Sequence, residues 1–248
     1  EQYGFDNEKN GYVEAFARDW SAISDLRLSA KDNNERKTMN THLHVIEAYA
    51  SLYTVWPDPA LKERIMNLLG LFDRYFIDHS GFHLRLFFDD DWHSKSALQS
   101  YGHDIEAAWL LQQCAAIIDD KALTDRFRLL AIPVTNAAAE GKDTDGGLWY
   151  EYEPEENKLI REKHSWPQAE ALVGFYNAWQ KKKKKKYYQQ CLETWAFIRQ
   201  YIRDHEKGEW FWGIQEDYSV MNEDKAGFWK CPYHNTRAML ELMKRINE

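Results

Sequence analysis

Four times along the chain a short pattern returns: His44-Val-Ile-Glu47-Ala48, His103-Asp-Ile-Glu106-Ala107, Pro167-Gln-Ala-Glu170-Ala171 and His234-Asn-Thr-Arg237-Ala238. The copies begin 59, 64 and 67 positions apart, by difference of those residue numbers. That spacing is too long for a one-helix repeat and suits a pair of helices plus a hairpin. The chain is therefore constrained to a toroid-like run of helix pairs, read as a single domain over 1–248, in which each pair covers the apolar face of its neighbour. Residues three apart on a helix share a face, so each copy sets its first and fourth residues side by side.

The stretch Ser100-Tyr-Gly-His-Asp-Ile-Glu-Ala-Ala-Trp-Leu-Leu111 shows which member of the pair carries the pattern. His103 and Glu106 take one face while Ile105, Ala108 and Trp109 take another, which leaves no clean solvent side and marks an inner helix. Amphipathic second helices are predicted from Pro59 to about Phe76, Asp119 to about Ala139 and Tyr187 to about Arg203, their mixed charges suiting an outer layer. Before each inner helix lies a turn-rich alternating segment, read as a short strand or hairpin: Gly11–Ile23, Gly81–Trp92, Gly146–Glu153 and Gly208–Gly213. Asn40, Thr41, Ser100 and Ser165 are available as helix caps, and Ser165-x-x-Gln168 can form a capping box. Pro167 and Pro232 fit first turns, where a missing N–H costs nothing. The expectation is about seven helices and four hairpins.

Composition narrows the function. A net charge of −8 argues against nucleic acid as a partner, and with no signal-peptide pattern and no long apolar run a membrane is not expected either. The chain is expected to be cytoplasmic. Cys114, Cys191 and Cys231 are widely spaced, which indicates neither a disulfide framework nor a zinc site. His42-x-His44 sends two rings to different helix faces, and no His-Glu-x-x-His occurs, so no metal is expected. The 11 tryptophans and 14 tyrosines are unusually many, and such residues suit surfaces that stack on sugar rings as well as cores. Lys181 to Lys186 reads as a solvated loop.

Together Asn40-Thr-His-Leu-His-Val-Ile-Glu-Ala-Tyr49, Phe87-Phe-Asp-Asp-Asp-Trp92, Tyr101-Gly-His-Asp-Ile-Glu-Ala-Ala-Trp-Leu-Leu111, Trp166-Pro-Gln-Ala-Glu-Ala171 and Trp229-Lys-Cys-Pro-Tyr-His-Asn235 resemble the cellobiose 2-epimerases of the N-acylglucosamine 2-epimerase superfamily. The resemblance implies an all-α (α/α)6 barrel, six inner and six outer helices with short hairpins at one end. Four repeat starts do not fill a ring of twelve, and no residue matches the arginine that the family carries on an early inner helix. The chain is thus expected to lack the N-terminal part of such a barrel.

The implied activity is that of an isomerase needing no cofactor: epimerisation at C2 of the reducing glucose of a β-1,4-linked disaccharide. A proton next to the carbonyl of the opened ring is removed and one is returned to the other face, which requires two acid/base groups with pKa values near the working pH. By resemblance these are His103 and His234, with His234 also assisting ring opening. A helix N-terminus disfavours imidazolium while a neighbouring carboxylate favours it, and the two together hold a histidine near neutrality. The resemblance gives Glu106 and Glu170 the orienting of histidines and the binding of sugar hydroxyls, and it gives His44 and Asn40 substrate contacts, Asp32 a weaker one. Trp166 and Trp229 match the family's stacking tryptophans.

Each residue has a plainer reading. Most tryptophans pack cores, Glu106 and Glu170 can pair with Arg237, and His42 is read as structural. His164, beside Trp166, could line a cleft rim. Three rivals stand beside the disaccharide epimerase: a monosaccharide epimerase or aldose-ketose isomerase, a glycoside hydrolase using the two glutamates, and a sugar-binding toroid without catalysis. The sequence leaves the oligomeric state open.

Overall fold

The computed structural model describes residues 2–30 and 32–247. In chain order the elements are β1 (Lys37–Thr38), α1 (Met39–Tyr53), α2 (Pro59–Leu71), β2 (Phe87–Phe88), β3 (Gln99–Ser100), α3 (Tyr101–Ile117) and α4 (Lys121–Ala138). There follow β4 (Glu151–Glu153), β5 (Lys158–Ile160), β6 (Lys163–His164), α5 (Ser165–Lys182), α6 (Lys185–Phe197), β7 (Gly213–Ile214) and α7 (Tyr233–Asn247). They fall into two compact units, Glu1–Gln99 with Leu110–Phe127, and Ser100–Trp109 with Arg128–Glu248.

In the first unit α1 packs on α2. Thr38 is extended and its hydroxyl accepts from Thr41 N at 3.1 Å, while Asp58 caps α2 and Pro59 takes its first position. Leu43, Ile46 and Ala50 of α1 and Leu61, Ile65 and Leu68 of α2 are buried, each set at helical three- and four-residue spacing. Each such leucine or isoleucine contributes about 1.5–3 kcal/mol by leaving water. One π-helical turn, Phe72–Phe76, carries α2 to the predicted end, and an antiparallel bridge from Ile77 to Leu84 follows. The second unit repeats this sequence of events, with a π-helical turn at Ile198–Ile202 after α6 and a bridge from Arg203 to Trp210.

His42 is enclosed on all sides in the first unit. Its Nδ1–H donates to Thr38 O at 2.6 Å, and Nε2 accepts from Tyr12 N at 2.9 Å. Protonating Nε2 would set two N–H groups against each other, and burial penalises the cation first of all, so the pKa falls from 6.5 to about 4. The unfolded chain binds this proton more readily, so the stabilisation is complete above pH 6.5 and is lost as pH falls toward 4. The loss is about 3 kcal/mol in full. A His42→Gln variant should show a flatter melting temperature between pH 7 and pH 4 than the parent chain.

The same histidine explains a departure from expectation. Gly11–Ile23 is not a strand: it contributes one bridge, Phe5 to Tyr12, and then runs in turns and bends. The Tyr12 amide is spent on His42 and the Glu14 amide on Arg36 O, so no regular ladder forms. Gly11, at φ +89°, lies so close beneath Trp92 that a Cβ would sit 2.7 Å from that ring.

In the second unit β4 and β5 form an antiparallel hairpin, β6 pairs with β7, and α5 packs on both α6 and α7. From Pro167 to Ala178 every residue of α5 is buried, as an inner helix requires. Gly174 lets α5 meet the first turns of α3, since a Cβ there would lie 2.5 Å from Ile105. On α6, Tyr187, Cys191, Thr194 and Phe197 turn one face inward. The exposed run Lys181–Lys186, expected as a loop, is mostly helical: Lys181 and Lys182 end α5, Lys185 and Lys186 open α6, and Lys183 and Lys184 join them, with Lys183 left-handed at φ 52° and its ammonium 4.8 Å from the Trp179 ring. The expected capping box does not form. Ser165 is the first helical residue, and the buried Gln168 amide is spent on Leu148 N, Leu148 O and His164 O. Lys163 is also buried, its ammonium 2.6 Å from Asp143 and 2.5 Å from Asp145, which fastens the strand that leads into α5.

Candidate active site

The first turns of α3, α5 and α7 bring their repeat residues together within the second unit. His234 Nδ1 lies 2.7 Å from Glu170 Oε1 and 4.0 Å from Glu106 Oε1. The Arg237 guanidinium, one turn along the same helix, donates to Glu106 Oε1 at 2.5 Å and to Glu170 Oε1 at 2.7 Å. Its other arm donates to the Tyr233 hydroxyl at 2.6 Å, and the plane lies over the Trp109 ring at 5.1 Å. Trp109 Nε1 closes the set by donating to Glu170 Oε2 at 3.0 Å. Both glutamates are fully buried.

Burial alone would raise the Glu170 carboxyl. The bond from His234 and the charge of Arg237 outweigh it and hold the group below its ordinary value. Because a carboxylate only accepts, the hydrogen between Glu170 and His234 sits on Nδ1. Nε2 of the neutral ring therefore carries the lone pair, as in a general base oriented by a carboxylate. Glu106 Oε2 is buried with no hydrogen-bond partner among the described residues, an acceptor suited to a hydroxyl that arrives with substrate.

His103 takes its orientation from Ser100, whose hydroxyl lies 2.8 Å from Nδ1. The serine that was available as a helix cap is thus used by the histidine one turn on. Trp166, in the first turn of α5, touches both histidines: ring centroids lie 4.7 Å from His103 and 5.4 Å from His234. This approach depends on Gly102, where a Cβ would lie 2.5 Å from the Trp166 ring and 2.9 Å from Pro167. Gly102→Ala should displace the indole and change its near-ultraviolet circular dichroism while the far-ultraviolet helix signal stays.

Five of the expected residues are thereby assembled: His103, Glu106, Trp166, Glu170 and His234. Trp229 is 57% exposed on the loop before α7, edge-on to Phe228. Asn40 and His44 lie in the first unit, in the opening turns of α1, with His44 Nδ1 3.5 Å from Glu47. Asp32 lies in the first unit as well, in the loop before β1. Arg237 is more central than its sequence reading as an ion-pair partner, because it bridges both glutamates. Tyr233 and Ser100 went unremarked as site residues, though Tyr233-x-x-x-Arg237 and Ser100-x-x-His103 have the spacing of same-face helix pairs. Glu106, Glu170 and His234 offer ligand atoms within 4.8 Å of one another. The Arg237 guanidinium already supplies positive charge to Glu106 Oε1 and Glu170 Oε1.

Residues 6–238 match the model of the N-acylglucosamine 2-epimerase family. The chain belongs to that family. Among its members, the cellobiose 2-epimerase of Bacteroides fragilis is 46% identical over 98% of this chain and 62% of its own length. That of Dictyoglomus turgidum is 36% identical over 95% and 60%. The solved cellobiose 2-epimerase of Bacillus thermoamylovorans B4167 superposes with a TM-score of 0.91 at 39% identity, covering 98% of this chain and 62% of that one. The helix pairs expected from the repeats, and the (α/α)6-barrel fold class implied by the resemblance, are those of this family member. The chain spans about three-fifths of the length of the relatives it matches. A D-mannose isomerase structure shares the fold at a TM-score of 0.82 and 22% identity.

Proposed function

We propose that the chain carries the proton-transfer site of a 2-epimerase acting on the reducing glucose of β-1,4-linked disaccharides, converting cellobiose to 4-O-glucosyl-mannose. The observation that carries this reading is the contact of one tryptophan, Trp166, with two histidines from different helices, His103 and His234. A sugar stacked at that indole has an imidazole from each helix within reach of C2. One removes the C2 proton once the ring has opened, and the other returns a proton to the opposite face of the planar enediolate. Arg237 and the first-turn N–H groups stabilise the negative oxygen that develops. Glu170 keeps His234 in its Nδ1–H form, and Glu106 Oε2 accepts from a sugar hydroxyl. The names of the relatives support disaccharide over monosaccharide, and the mixed polar and aromatic site supports a carbohydrate as such.

Incubation with cellobiose in D2O tests the reading. Deuterium should enter C2 of the reducing residue and 4-O-glucosyl-mannose should accumulate. Neither product nor exchange, with sugar binding intact, would favour the non-catalytic reading instead.

A further inference from the structure

His103 and His234 meet chemically different partners. Glu170 can only accept, so the hydrogen it shares with His234 sits on Nδ1 and leaves Nε2 a lone pair. His103 meets Ser100 instead, the last residue of β3, with Nδ1 2.8 Å from the hydroxyl. A hydroxyl donates or accepts, so this contact alone does not place the hydrogen. The surroundings of Ser100 do. The residue is fully buried, and among the described residues its hydroxyl has a single hydrogen-bond partner, His103 Nδ1. If the ring donated from Nδ1, the serine O–H would be enclosed with nothing to receive it, and leaving a buried donor unpaired costs more than a made bond gains. The serine therefore donates, Nδ1 accepts, and the hydrogen of the neutral His103 ring lies on Nε2.

We infer that Ser100 is a positioning residue that sets His103 in the tautomer opposite to that of His234, so that the resting site faces the sugar with a lone pair from one imidazole and an N–H from the other. The inference rests on the reading above that both rings address C2. It assigns the first step. His234 Nε2 takes the C2 proton, the electron pair of that C–H bond becomes the C1–C2 double bond, the carbonyl oxygen takes the negative charge and His234 becomes an imidazolium. The His103 Nε2–H then serves as a donor to that oxygen, a neutral imidazole acting as electrophile. For His103 to take a proton instead, its hydrogen must pass from Nε2 to Nδ1 and the Ser100 hydroxyl must turn from donor to acceptor. A serine permits that turn, where a carboxylate holds one arrangement. The same turn lets Ser100 accept from Nδ1–H when His103 holds a second proton to return. The epimer that presents its C2 proton to His103 is thus the slower to exchange.

Long-range proton–nitrogen correlation spectra of the parent chain, with isotope-labelled histidine in alkaline buffer, read each tautomer directly, and His103→Ala and His234→Ala assign the signals. Hydrogen on Nδ1 of His234 and on Nε2 of His103 is the expected result. Hydrogen on Nδ1 of both rings overturns the inference and leaves the epimerase reading intact. Kinetics test the consequence: cellobiose and 4-O-glucosyl-mannose are incubated separately in D2O with the parent chain, Ser100→Ala and Ser100→Thr, and initial exchange at C2 is measured. If the parent chain exchanges neither sugar, the underlying reading falls and the inference with it. Given exchange, the faster epimer should be the one that His103→Ala still exchanges. Ser100→Ala should narrow the ratio between the two epimers by about three- to tenfold, the weight of one hydrogen bond on the tautomer. Ser100→Thr, which keeps the hydroxyl, should keep both the ratio and the tautomer. An equal loss for both epimers in Ser100→Ala would reduce the serine to a structural role and overturn the inference.

Discussion

Glu170→Ala should cost the protein both its chemistry and a large part of its stability. The carboxylate is enclosed and accepts from His234, Arg237 and Trp109 together. Its removal leaves the Arg237 charge with one carboxylate instead of two and the Trp109 N–H without its acceptor. Breaking a buried ion pair from one side costs about 3–5 kcal/mol, which for a chain of this size lowers the melting temperature by on the order of 10 °C. C2 exchange should fall by about a hundredfold or more, because His234 loses the group that fixes its tautomer. Glu170→Gln separates the two effects. It fills the volume and recovers much of the stability, but one amide oxygen cannot serve all three donors, so exchange stays low.

The pH dependence follows from the same contacts. The folded carboxyl of Glu170 lies below its ordinary value of 4.5, burial opposing and His234 and Arg237 prevailing. Its stabilisation is therefore present above that value and is lost as pH falls through the depressed one. Thermal melts should show the parent chain losing its advantage over Glu170→Gln below about pH 4.5, a window lower than that in which His42 acts. An advantage that held constant down to pH 3 would remove the ion pair from the account.

What could be read in the residues, and what could not, divides by range. Helical periodicity is local, so the pairs α1/α2 and α5/α6 appear where the apolar spacing puts them, and even the π-helical turn ending at Phe76 lies within the predicted span. The register of the repeat was local as well, and it brought His103, Glu106, Glu170 and His234 onto facing turns. Segments whose hydrogen bonds go to distant partners were not legible. Gly11–Ile23 has strand-like alternation, yet its Tyr12 amide is claimed by His42, 30 residues on. Ser165 and Gln168 spell a capping box, yet Leu148 claims the glutamine. Arg237 reads as one partner in an ion pair, and only its placement 131 residues from Glu106 and 67 from Glu170 makes it the bridge between them.

His103 and His234 carry the prediction with the largest effect on turnover. Replacing either with alanine should slow interconversion of cellobiose and 4-O-glucosyl-mannose by about a hundredfold or more. The two variants should fail differently. Epimerisation needs a base on each face of C2, so a variant lacking one base can still remove the proton of the epimer presented to the other. His103→Ala and His234→Ala, each incubated in D2O with each disaccharide separately, should wash deuterium into opposite epimers while net conversion falls in both. His234→Ala should also lose the donor on Glu170, at about 1.5–3 kcal/mol for a bond to a charged group, less than Glu170→Ala because Arg237 remains. His103→Ala, whose ring nitrogen meets a neutral serine hydroxyl, should cost less still. Near-normal turnover in either variant would remove that histidine from the chemistry. Exchange into the same epimer by both would place the two imidazoles on one face and overturn the two-sided mechanism.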